Sequence, residues 1–261
     1  MDIFVPNKKL WIPDSHIADM NLSPIGQARM LQRNRMRCNL TPDLLMMMGA
    51  AGAAGDTPAS YALNGSADYL TVPDHADWDW SGDITVEFWI RFASTSGTQN
   101  FIGTNAGTLF RIYWDGTSLL YTQSGTTDFT RSWSPSATTW YHYMWSRASG
   151  TNRIFIDGTI LGSSSSDSTS LAPTSVLSIG RSATYGHYVN GNMDEIRLSD
   201  TARQTGNFTP PTVPYTSDAN TLLLIHCSET KTGSTFTDSG NTGHTVTENG
   251  GAIEDTTIYK Y

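Results

Sequence analysis

The sequence predicts an all-β sandwich, and this prediction depends on strand periodicity and on turn signals. Residues 84–92, ITVEFWIRF, carry apolar side chains at every second position, which is the period of a strand with one face in a core. Shorter strands separated by Gly-containing turns follow along the chain, and many short strands without intervening helices are typical of a sandwich. The other predicted strands are residues 109–114, 119–122, 140–147, 153–156, 159–161, 176–179 and 193–198.

Composition and charge exclude several other classes of protein. The net charge of −8 argues against a nucleic-acid partner, because phosphate binding needs clustered Lys and Arg. No apolar run approaches the ~20 residues of a membrane-spanning helix, and the N-terminus lacks the basic and apolar regions of a signal peptide. We therefore expect synthesis in the cytoplasm without a signal peptide, and no membrane insertion. Cys38 and Cys227 have no metal-ligand spacing and are predicted to be unlinked thiols.

Residues 1–56 differ in composition from the rest of the chain and are predicted to form an N-terminal docking arm. Ser23-Pro24 and Thr41-Pro42 are helix-start signals, which predict short helices over residues 24–37 and 42–48 before a Gly/Ala linker. An arm of this size cannot build its own core, so we expect it to dock on another protein; the alternative is packing on its own sandwich. The candidate docking residues are Arg29, Arg33, Arg35, Arg37, Met46, Met47 and Met48.

Seven blocks between residues 61 and 199 occur in the order found in one known family. They are YALNG at 61–65, DYLTVPD at 68–74, ITVEFWIRF at 84–92, WYHY at 140–143, IFIDG at 154–158, LSIGR at 177–181 and GNMDEIRLS at 191–199. On these blocks, residues 57–207 resemble the laminin-G-like, concanavalin A-like family of lectin domains. The resemblance implies a jelly-roll β-sandwich of two antiparallel sheets.

The linker before these blocks resembles sequences in virion proteins of tailed bacteriophages. A Leu- and Met-rich run at residues 44–48 is followed by a Gly/Ala stretch and then directly by the sandwich. Similar arrangements occur in tail fibres and other surface appendages of these phages. The resemblance implies a structural protein at the virion surface, present as a homo-oligomer or in many copies, whose arm contacts other virion proteins of the capsid or tail.

The last part of the chain, residues 208–261, carries sequence that this family commonly has at its start. It includes LLLIH at 222–226, FTDSG at 236–240 and HTVT at 244–247, which follow a predicted extended tether, FTPPTVP, at 208–214. These strands could complete the chain's own sandwich, exchange into a neighbouring subunit, or belong to a truncated repeat. We expect them to complete a sandwich, their own or a neighbour's, because half a sandwich would expose sheet edges and apolar side chains.

The sequence lacks the acidic pattern of a glycoside hydrolase. Such enzymes need two carboxylates about 5–9 Å apart, which on a strand means acidic residues at alternating positions. Asp194 and Glu195 are adjacent, so strict alternation predicts that they face opposite sides of their strand. Asp194 is interpreted as a hydrogen-bonded structural residue. The histidines are dispersed with no serine or cysteine elbow nearby, and we expect no catalytic residue and no enzymatic activity.

Metal and sugar sites are predicted from loop residues. The sequence requires no cofactor, but the family resemblance implies calcium at the sheet rim, and the candidate ligands are Asp74, Asp77, Asp79 and Asp83. A solvated acidic loop is the alternative. Sugar recognition uses exposed aromatic rings with nearby polar groups, although loop aromatics more often cap a core. The candidate ligand-binding residues are Trp78, Trp80, Trp114, Tyr121, Trp133 and Tyr185.

Together these features predict a non-enzymatic structural protein of a bacteriophage virion. The arm would dock to the capsid or tail, and the lectin-like sandwich would face outward and bind a glycan or the host surface. The alternative is a carbohydrate-binding module for host attachment without an architectural role. A glycoside hydrolase is a third and weaker hypothesis, because the carboxylate pair is missing.

Overall fold

The described part of the chain is a sandwich of antiparallel strands. The structure is a computed structural model. It describes residues 58–108, 110–123, 126–182, 184–227, 235–251 and 253–261. The predicted docking arm, with its two helices and its Arg and Met docking residues, lies outside these ranges. The predicted all-β fold is confirmed. No helix within the described ranges is long and apolar enough to cross a membrane.

Short strands account for nearly all of the regular structure in the described ranges, with one 3-10 helix at Ala76–Trp78. In chain order the strands are β1 (Ser60–Asn64), β2 (Tyr69–Val72), β3 (Ile84–Phe92), β4 (Gln99–Gly103), β5 (Gly107–Thr108), β6 (Phe110–Trp114), β7 (Ser118–Gln123), β8 (Thr126–Ser132), β9 (Trp140–Ala148), β10 (Thr151–Ile156), β11 (Thr159–Ile160), β12 (Ser165–Ser166), β13 (Ala172–Pro173), β14 (Leu177–Ile179), β15 (Arg181–Ser182), β16 (His187–Tyr188), β17 (Asn190–Ser199), β18 (Thr221–Ile225), β19 (Thr235–Phe236), β20 (Val246–Asn249) and β21 (Ile253–Asp255).

Two large antiparallel sheets contain most of these strands. Sheet I has the order β11-β10-β9-β3-β17-β1-β21, with β12 paired to β10 and β18 paired to β17. Sheet II has the order β19-β20-β2-β14-β4-β6-β7-β8. Two small pairs, β5 with β13 and the hairpin β15–β16, are separate from both sheets.

The core lies between the inward faces of the two sheets, where alternate residues of the strands meet. The five apolar residues that the sequence places on one face of β3 are all fully buried, and the ring of Phe88 lies 5.5 Å from that of Phe101 in sheet II. Phe110, Ile112 and Trp114 of β6 enter the same core. Burying each such side chain stabilises the fold by about 1.5–3 kcal/mol relative to leaving it exposed, so this core holds the two sheets together.

The displaced C-terminal segment lies in both sheets of its own chain. Strand β18 pairs with the second half of β17, where Ile225 lies opposite Ile196, and β21 pairs with β1. In sheet II, β20 pairs with β2 and places Thr247 opposite Thr71. Leu223 and Ile225 are buried in the core. The apolar residues of β18 are therefore buried in the core of their own chain.

The predicted tether, residues 208–214, crosses the outer face of sheet I. Phe208 donates its backbone N–H to the Gly158 carbonyl oxygen at 2.9 Å, and its ring packs on His142 and Phe155. Tyr215, which follows the tether, is buried, and its hydroxyl lies 2.7 Å from His142 Nε2. The segment therefore covers this face as well as connecting β17 to β18.

A β-bulge in β17 makes the predicted orientation of Asp194 and Glu195 wrong. The register between β17 and β3 shifts between Asp194 and Arg197, and Glu195 has a positive φ of 49°. Met193 and Ile196, on either side of the acidic pair, are both buried in the core. Strict alternation fails here because the extra residue puts both carboxylates on the outer side of sheet I.

Candidate functional site

The outer face of sheet II carries a row of residues from three neighbouring strands. Ser178 of β14 lies opposite Gly103 of β4, and Gly103 lies opposite Arg111 of β6. The side chains of Ser178 and Arg111 point outward, because their chain neighbours on both sides are buried in the core. Those neighbours are Leu177, Ile179, Phe110 and Ile112.

Gly103 provides the space in which the Arg111 side chain lies. A Cβ atom at position 103 would come within 2.6 Å of the Phe110 carbonyl oxygen and 3.1 Å of Arg111 Cγ. The guanidinium carbon of Arg111 lies 4.4 Å from the ring centroids of both Tyr113 and Tyr185. A larger residue at position 103 would displace this arginine from the two rings.

A second arginine, Arg181, belongs to the same surface. Its guanidinium carbon lies 3.5 Å from the centroid of the Tyr69 ring. Asn100 connects the two arginines, because its Oδ1 accepts a hydrogen bond from Arg111 Nε at 3.1 Å and its Nδ2 donates to the Arg181 carbonyl oxygen at 2.8 Å. One amide side chain therefore fixes both arginine-bearing segments.

The hairpin β15–β16 supplies the exposed aromatic edge of this surface. The Tyr185 ring stacks on the imidazole of His187 with centroids 5.7 Å apart, and Tyr185 is 55% exposed. Burial and the charge of Arg111 lower the pKa of His187, so its imidazole is neutral at neutral pH. We call the following residues the tyrosine–arginine face: Tyr69, Arg111, Tyr113, Arg181, Tyr185 and His187.

Several buried polar atoms at this face have no hydrogen-bond partner among the described residues. They are Arg111 Nη2, Ser178 Oγ, Arg181 Nε and His187 Nδ1. Within the described ranges, neither Arg111 nor Arg181 forms an ion pair with a carboxylate. Buried polar groups in native proteins are nearly always paired, so these atoms are candidates for hydrogen bonds to water or to a polar ligand. Rings for stacking and donors for orientation are the features that bind sugars.

Residues 64–206 match a laminin G family model described as the concanavalin A-like lectin/glucanases superfamily. This range is more than half of the chain. The chain belongs to the concanavalin A-like lectin/glucanase superfamily. The laminin-G-like jelly roll predicted from the sequence blocks is therefore confirmed. No curated protein sequence matches this superfamily member.

Solved structures that resemble it share the fold of the superfamily. A candidate carbohydrate-binding protein from Bacteroides ovatus has a TM-score of 0.60 and 15% identity over 77% of this chain and 60% of its own. The heptameric SAP-like pentraxin of Limulus polyphemus has a TM-score of 0.53 and 14% identity over 78% of this chain and 97% of its own. The chain thus spans less than two thirds of the Bacteroides protein, and at these identities the likeness concerns the fold.

One of the six aromatic residues predicted to bind ligand, Tyr185, lies on the tyrosine–arginine face. Trp133 is partly buried and packs 5.8 Å from a core tryptophan. The prediction is wrong for the other four, because each is at most 4% exposed and belongs to the core: Trp78, Trp80, Trp114 and Tyr121. Loop tryptophans turn inward here because the ring N–H finds a carbonyl oxygen, as Trp78 Nε1 does at Pro73 at 3.0 Å.

Sequence analysis missed both arginines of the face and most of its rings. A usable signal was present in β6, FRIYW, where a period of two places Arg111 and Tyr113 opposite the core residues Phe110 and Ile112. The position of β14 and β4 beside β6 could not be predicted, because pairings between distant segments determine the strand order.

The four aspartates predicted to hold calcium are not brought together. Asp83 accepts a hydrogen bond from the Ser149 backbone N–H at 2.7 Å, whereas Asp77 lies beside two histidines. In the described part of the chain, the only cluster of three side chains able to hold a metal is His75, Asp77 and His244. Calcium prefers a shell of oxygen ligands, which this nitrogen-rich set does not supply.

Asp194 and Glu195 lie on the outer face of sheet I, away from the tyrosine–arginine face. Asp194 accepts hydrogen bonds from the backbone N–H groups of Glu195 and Lys260, and burial raises its pKa to about 8. Glu195 accepts from the Tyr215 backbone N–H at 2.6 Å and lies 2.8 Å from His226 Nδ1. These contacts attach the C-terminal tail and the residue after the tether to the sheet, which is a structural role.

Proposed function

We propose that the protein binds an acidic glycan through the tyrosine–arginine face and does not cleave it. The observation that carries this proposal is the pair Arg111 and Arg181, which lie on tyrosine rings without a carboxylate partner in the described ranges. A guanidinium without a carboxylate partner favours the carboxylate or sulfate of a sugar, which it binds through parallel N–H donors. Arg181 is half-buried, whereas Arg111 is buried and would reach such a group by a small movement of its side chain.

The aromatic residues favour a saccharide over a small inorganic anion. Tyr185 presents a ring that is 55% exposed, whereas Tyr69 and Tyr113 are half-buried with an arginine over their faces, so Tyr185 is the exposed ring of the set. Aromatic faces stack on the apolar face of a sugar ring and remove it from water. Membership of a lectin superfamily, and the fold shared with the Bacteroides candidate carbohydrate-binding protein, support the same class of ligand.

The lack of catalysis is part of the proposal. Glycoside hydrolysis needs paired carboxylates about 5–9 Å apart on either side of the scissile bond. The tyrosine–arginine face as defined has no carboxylate, and Asp194 and Glu195 are buried on the other sheet. We therefore expect no release of reducing sugar from a bound polysaccharide.

Glycan-array screening of the full chain, followed by reducing-sugar assays on each polysaccharide that binds, tests both parts. The proposal expects binding of uronate- or sulfate-bearing glycans in preference to neutral glycans with the same backbone, and no turnover. Binding to neutral glycans alone would contradict the role of the arginines. Release of reducing ends would contradict the non-catalytic role.

We also propose that the sandwich is displayed on the virion of a tailed bacteriophage. Residues 1–56 would dock it to capsid or tail proteins, with Arg29, Arg33, Arg35, Arg37, Met46, Met47 and Met48 as the docking residues. The composition of the arm and its phage-like linker support this role. Mass spectrometry of purified particles should detect the chain in many copies.

Deletion of residues 1–56 separates the architectural role from glycan binding. The shortened chain should no longer join particles but should still bind the glycan. A full-length chain that binds glycan and is absent from particles would instead support the alternative, a carbohydrate-binding module for host attachment without an architectural role.

A further inference from the structure

Three side chains that can bind a metal lie together at the rim of the sandwich, although they come from distant parts of the sequence. His75 and Asp77 lie at the start of the 3-10 helix before β3, whereas His244 precedes β20 in the C-terminal segment. The ligand atoms of the three side chains all lie within 4.8 Å of one another. His244 Nε2 is 2.9 Å from Asp77 Oδ2, and His75 Nδ1 is 3.1 Å from Asp77 Oδ1.

Neighbouring residues hold the cluster in place. Thr242 Oγ1 donates to Asp77 Oδ2 at 2.7 Å, and the His244 backbone N–H donates to Asp238 Oδ2 at 2.7 Å. The ring of His244 lies 4.8 Å from that of the buried Trp78. A hydrogen bond that orients a ligating carboxylate, as Thr242 does for Asp77, is typical of metal sites, where it positions the ligand before the ion arrives.

We propose that His75, Asp77 and His244 bind a divalent transition-metal ion, with Zn²⁺ as the reference ion. Two imidazole nitrogens and one carboxylate oxygen suit Zn²⁺, Cu²⁺ or Ni²⁺, whereas calcium needs six or more oxygen ligands. The side chain of His75 is 44% exposed, which leaves room for a water molecule as a further ligand. The metal therefore belongs to a different chemical class from the calcium that the family resemblance implies.

Binding requires only a small movement. A tetrahedral Zn²⁺ with bonds of about 2.0–2.1 Å holds its ligand atoms roughly 3.3 Å apart. Each imidazole nitrogen already lies near that distance from Asp77, although His244 Nε2 approaches Oδ2 and His75 Nδ1 approaches Oδ1. A small movement of the exposed His75 ring would bring all three ligand atoms to one ion, because they already lie within 4.8 Å of one another. The ion would replace the hydrogen bond between His244 and Asp77 and the one that the Asp77 backbone N–H donates to His75 Nδ1.

The site would act as a clip between two parts of the chain. Residues 75–77 belong to the loop that leads into β3, and residue 244 to the segment that supplies the edge strands of sheet II. An ion bound to both would hold the C-terminal segment in the sandwich, and binding to the folded state alone raises stability by mass action.

Zinc titration of the full-length protein, after removal of metals with EDTA, tests the proposal. We expect calorimetry to show one Zn²⁺ bound per chain and the melting temperature to rise with ZnCl₂ but not with CaCl₂. His75→Asn keeps a side-chain acceptor for the Asp77 backbone N–H but removes the imidazole. His244→Gln keeps a donor for Asp77. Each variant should weaken zinc binding by about tenfold or more, since each 1.4 kcal/mol of lost binding is tenfold in affinity.

Asp79→Asn is the matched control, because this exposed aspartate lies in the same loop but is not a member of the cluster. It should keep the zinc affinity of the unmodified chain. Equal zinc affinity in all four proteins, or stabilisation by calcium in place of zinc, would overturn the proposal. If His244→Gln unfolds, His75→Asn still tests the zinc proposal, because an exposed loop residue can be replaced without loss of core contacts.

Discussion

The two outer faces of the sandwich use their charged residues in opposite ways. On sheet I, the buried carboxylate of Glu87 accepts hydrogen bonds from Arg197 and lies 3.4 Å from His142 Nε2. Asp194 and Glu195 on the same face are also buried, and each accepts a hydrogen bond from a C-terminal backbone N–H. On sheet II, Arg111 and Arg181 lie on tyrosine rings with no carboxylate partner in the described ranges.

This difference separates structure from recognition. Charges that are paired and covered attach the tether and tail to sheet I, and removing one partner leaves the other buried and unpaired. The two arginines of sheet II form no ion pair in the described ranges, so a ligand carboxylate can pair with them without breaking an existing ion pair. We therefore expect substitutions on sheet I to change stability and substitutions on the tyrosine–arginine face to change binding.

Deletion of residues 208–261 should have the largest effect. It removes β18 to β21, which supply edge strands to both sheets, together with core residues such as Leu223, Ile225 and Phe236. The remaining fragment would expose sheet edges and apolar side chains, so we expect an insoluble product or one without a cooperative thermal transition. Thermal unfolding of the fragment 57–207 can be monitored by circular dichroism. A sharp cooperative transition would show that the C-terminal segment is a separate element.

Gly158→Ala should destabilise the protein by about 2–4 kcal/mol, because it disturbs the tether where that segment meets sheet I. Gly158 has a φ of +75°, and an added Cβ would lie 1.9 Å from the Phe208 carbonyl oxygen. Gly97→Ala is the matched control, since Gly97 has a φ of +74° and no atom within 4 Å of the added Cβ. Urea denaturation of both variants measures the difference, and equal losses would mean that tether contact contributes nothing.

Asp194→Asn should destabilise the protein in a pH-dependent manner. Burial raises the pKa of Asp194 from its ordinary value of 3.8 to about 8, so between these values the folded state keeps a proton that the unfolded state has lost. Rising pH therefore costs the wild-type protein stability at this residue, and the loss caused by Asp194→Asn should shrink by about 1 kcal/mol or more between pH 5 and pH 7.

Asp255→Asn is the control for that experiment. The Asp255 carboxyl lies at the surface end of β21, and its hydrogen bonds to Thr257, Asn192 and Ile258 lower its pKa against the effect of burial. Both folded and unfolded states are then ionised above pH 5, so the loss caused by this variant should be constant from pH 5 to pH 7. An equally constant loss for Asp194→Asn would contradict the account of the covered face.

Tyr185→Ala should have the smallest effect on stability, within about 0.5 kcal/mol, because surface substitutions rarely cost more. The ring is 55% exposed and belongs to the face assigned to recognition. Thermal denaturation of this variant is compared with that of Tyr259→Ala. The control removes a ring that is 43% exposed and lies outside the tyrosine–arginine face. A loss of several kcal/mol for Tyr185→Ala alone would indicate a structural role for the tyrosine–arginine face.

Local pattern predicted the parts of this fold that depend on neighbouring residues. The alternation in β3 identified both the strand and its buried side, and the apolar run of β18 showed that it needs an interior. The predicted orientation of Asp194 and Glu195 was wrong because a single bulge interrupts the alternation of side chains in β17. No residue type signals a bulge at this position. The loop tryptophans were predicted to be exposed but are buried, because the exposure of each ring depends on which carbonyl oxygen accepts its N–H hydrogen bond.

The binding face was hidden for a related reason. Arg111 and Arg181 are 70 positions apart in sequence, and they come together only because β4 and β14 pair and Asn100 contacts both segments. Likewise, the cluster of His75 and Asp77 with His244 requires the C-terminal segment to return to the sandwich. Sites made of distant segments cannot be read from the spacing of residues, whereas core strands can.

Calorimetric titration with an acidic oligosaccharide selected from the glycan array tests the central claim most directly. The proteins to compare are the unmodified chain, Tyr185→Ala, Arg181→Ala and the control Tyr259→Ala. We predict that the control binds like the unmodified chain and that the two face variants bind at least about tenfold more weakly while melting at nearly the same temperature, since loss of 1.4 kcal/mol is tenfold. Unchanged affinity in both face variants, or loss of affinity in the control alone, would contradict the assignment of this face to glycan binding.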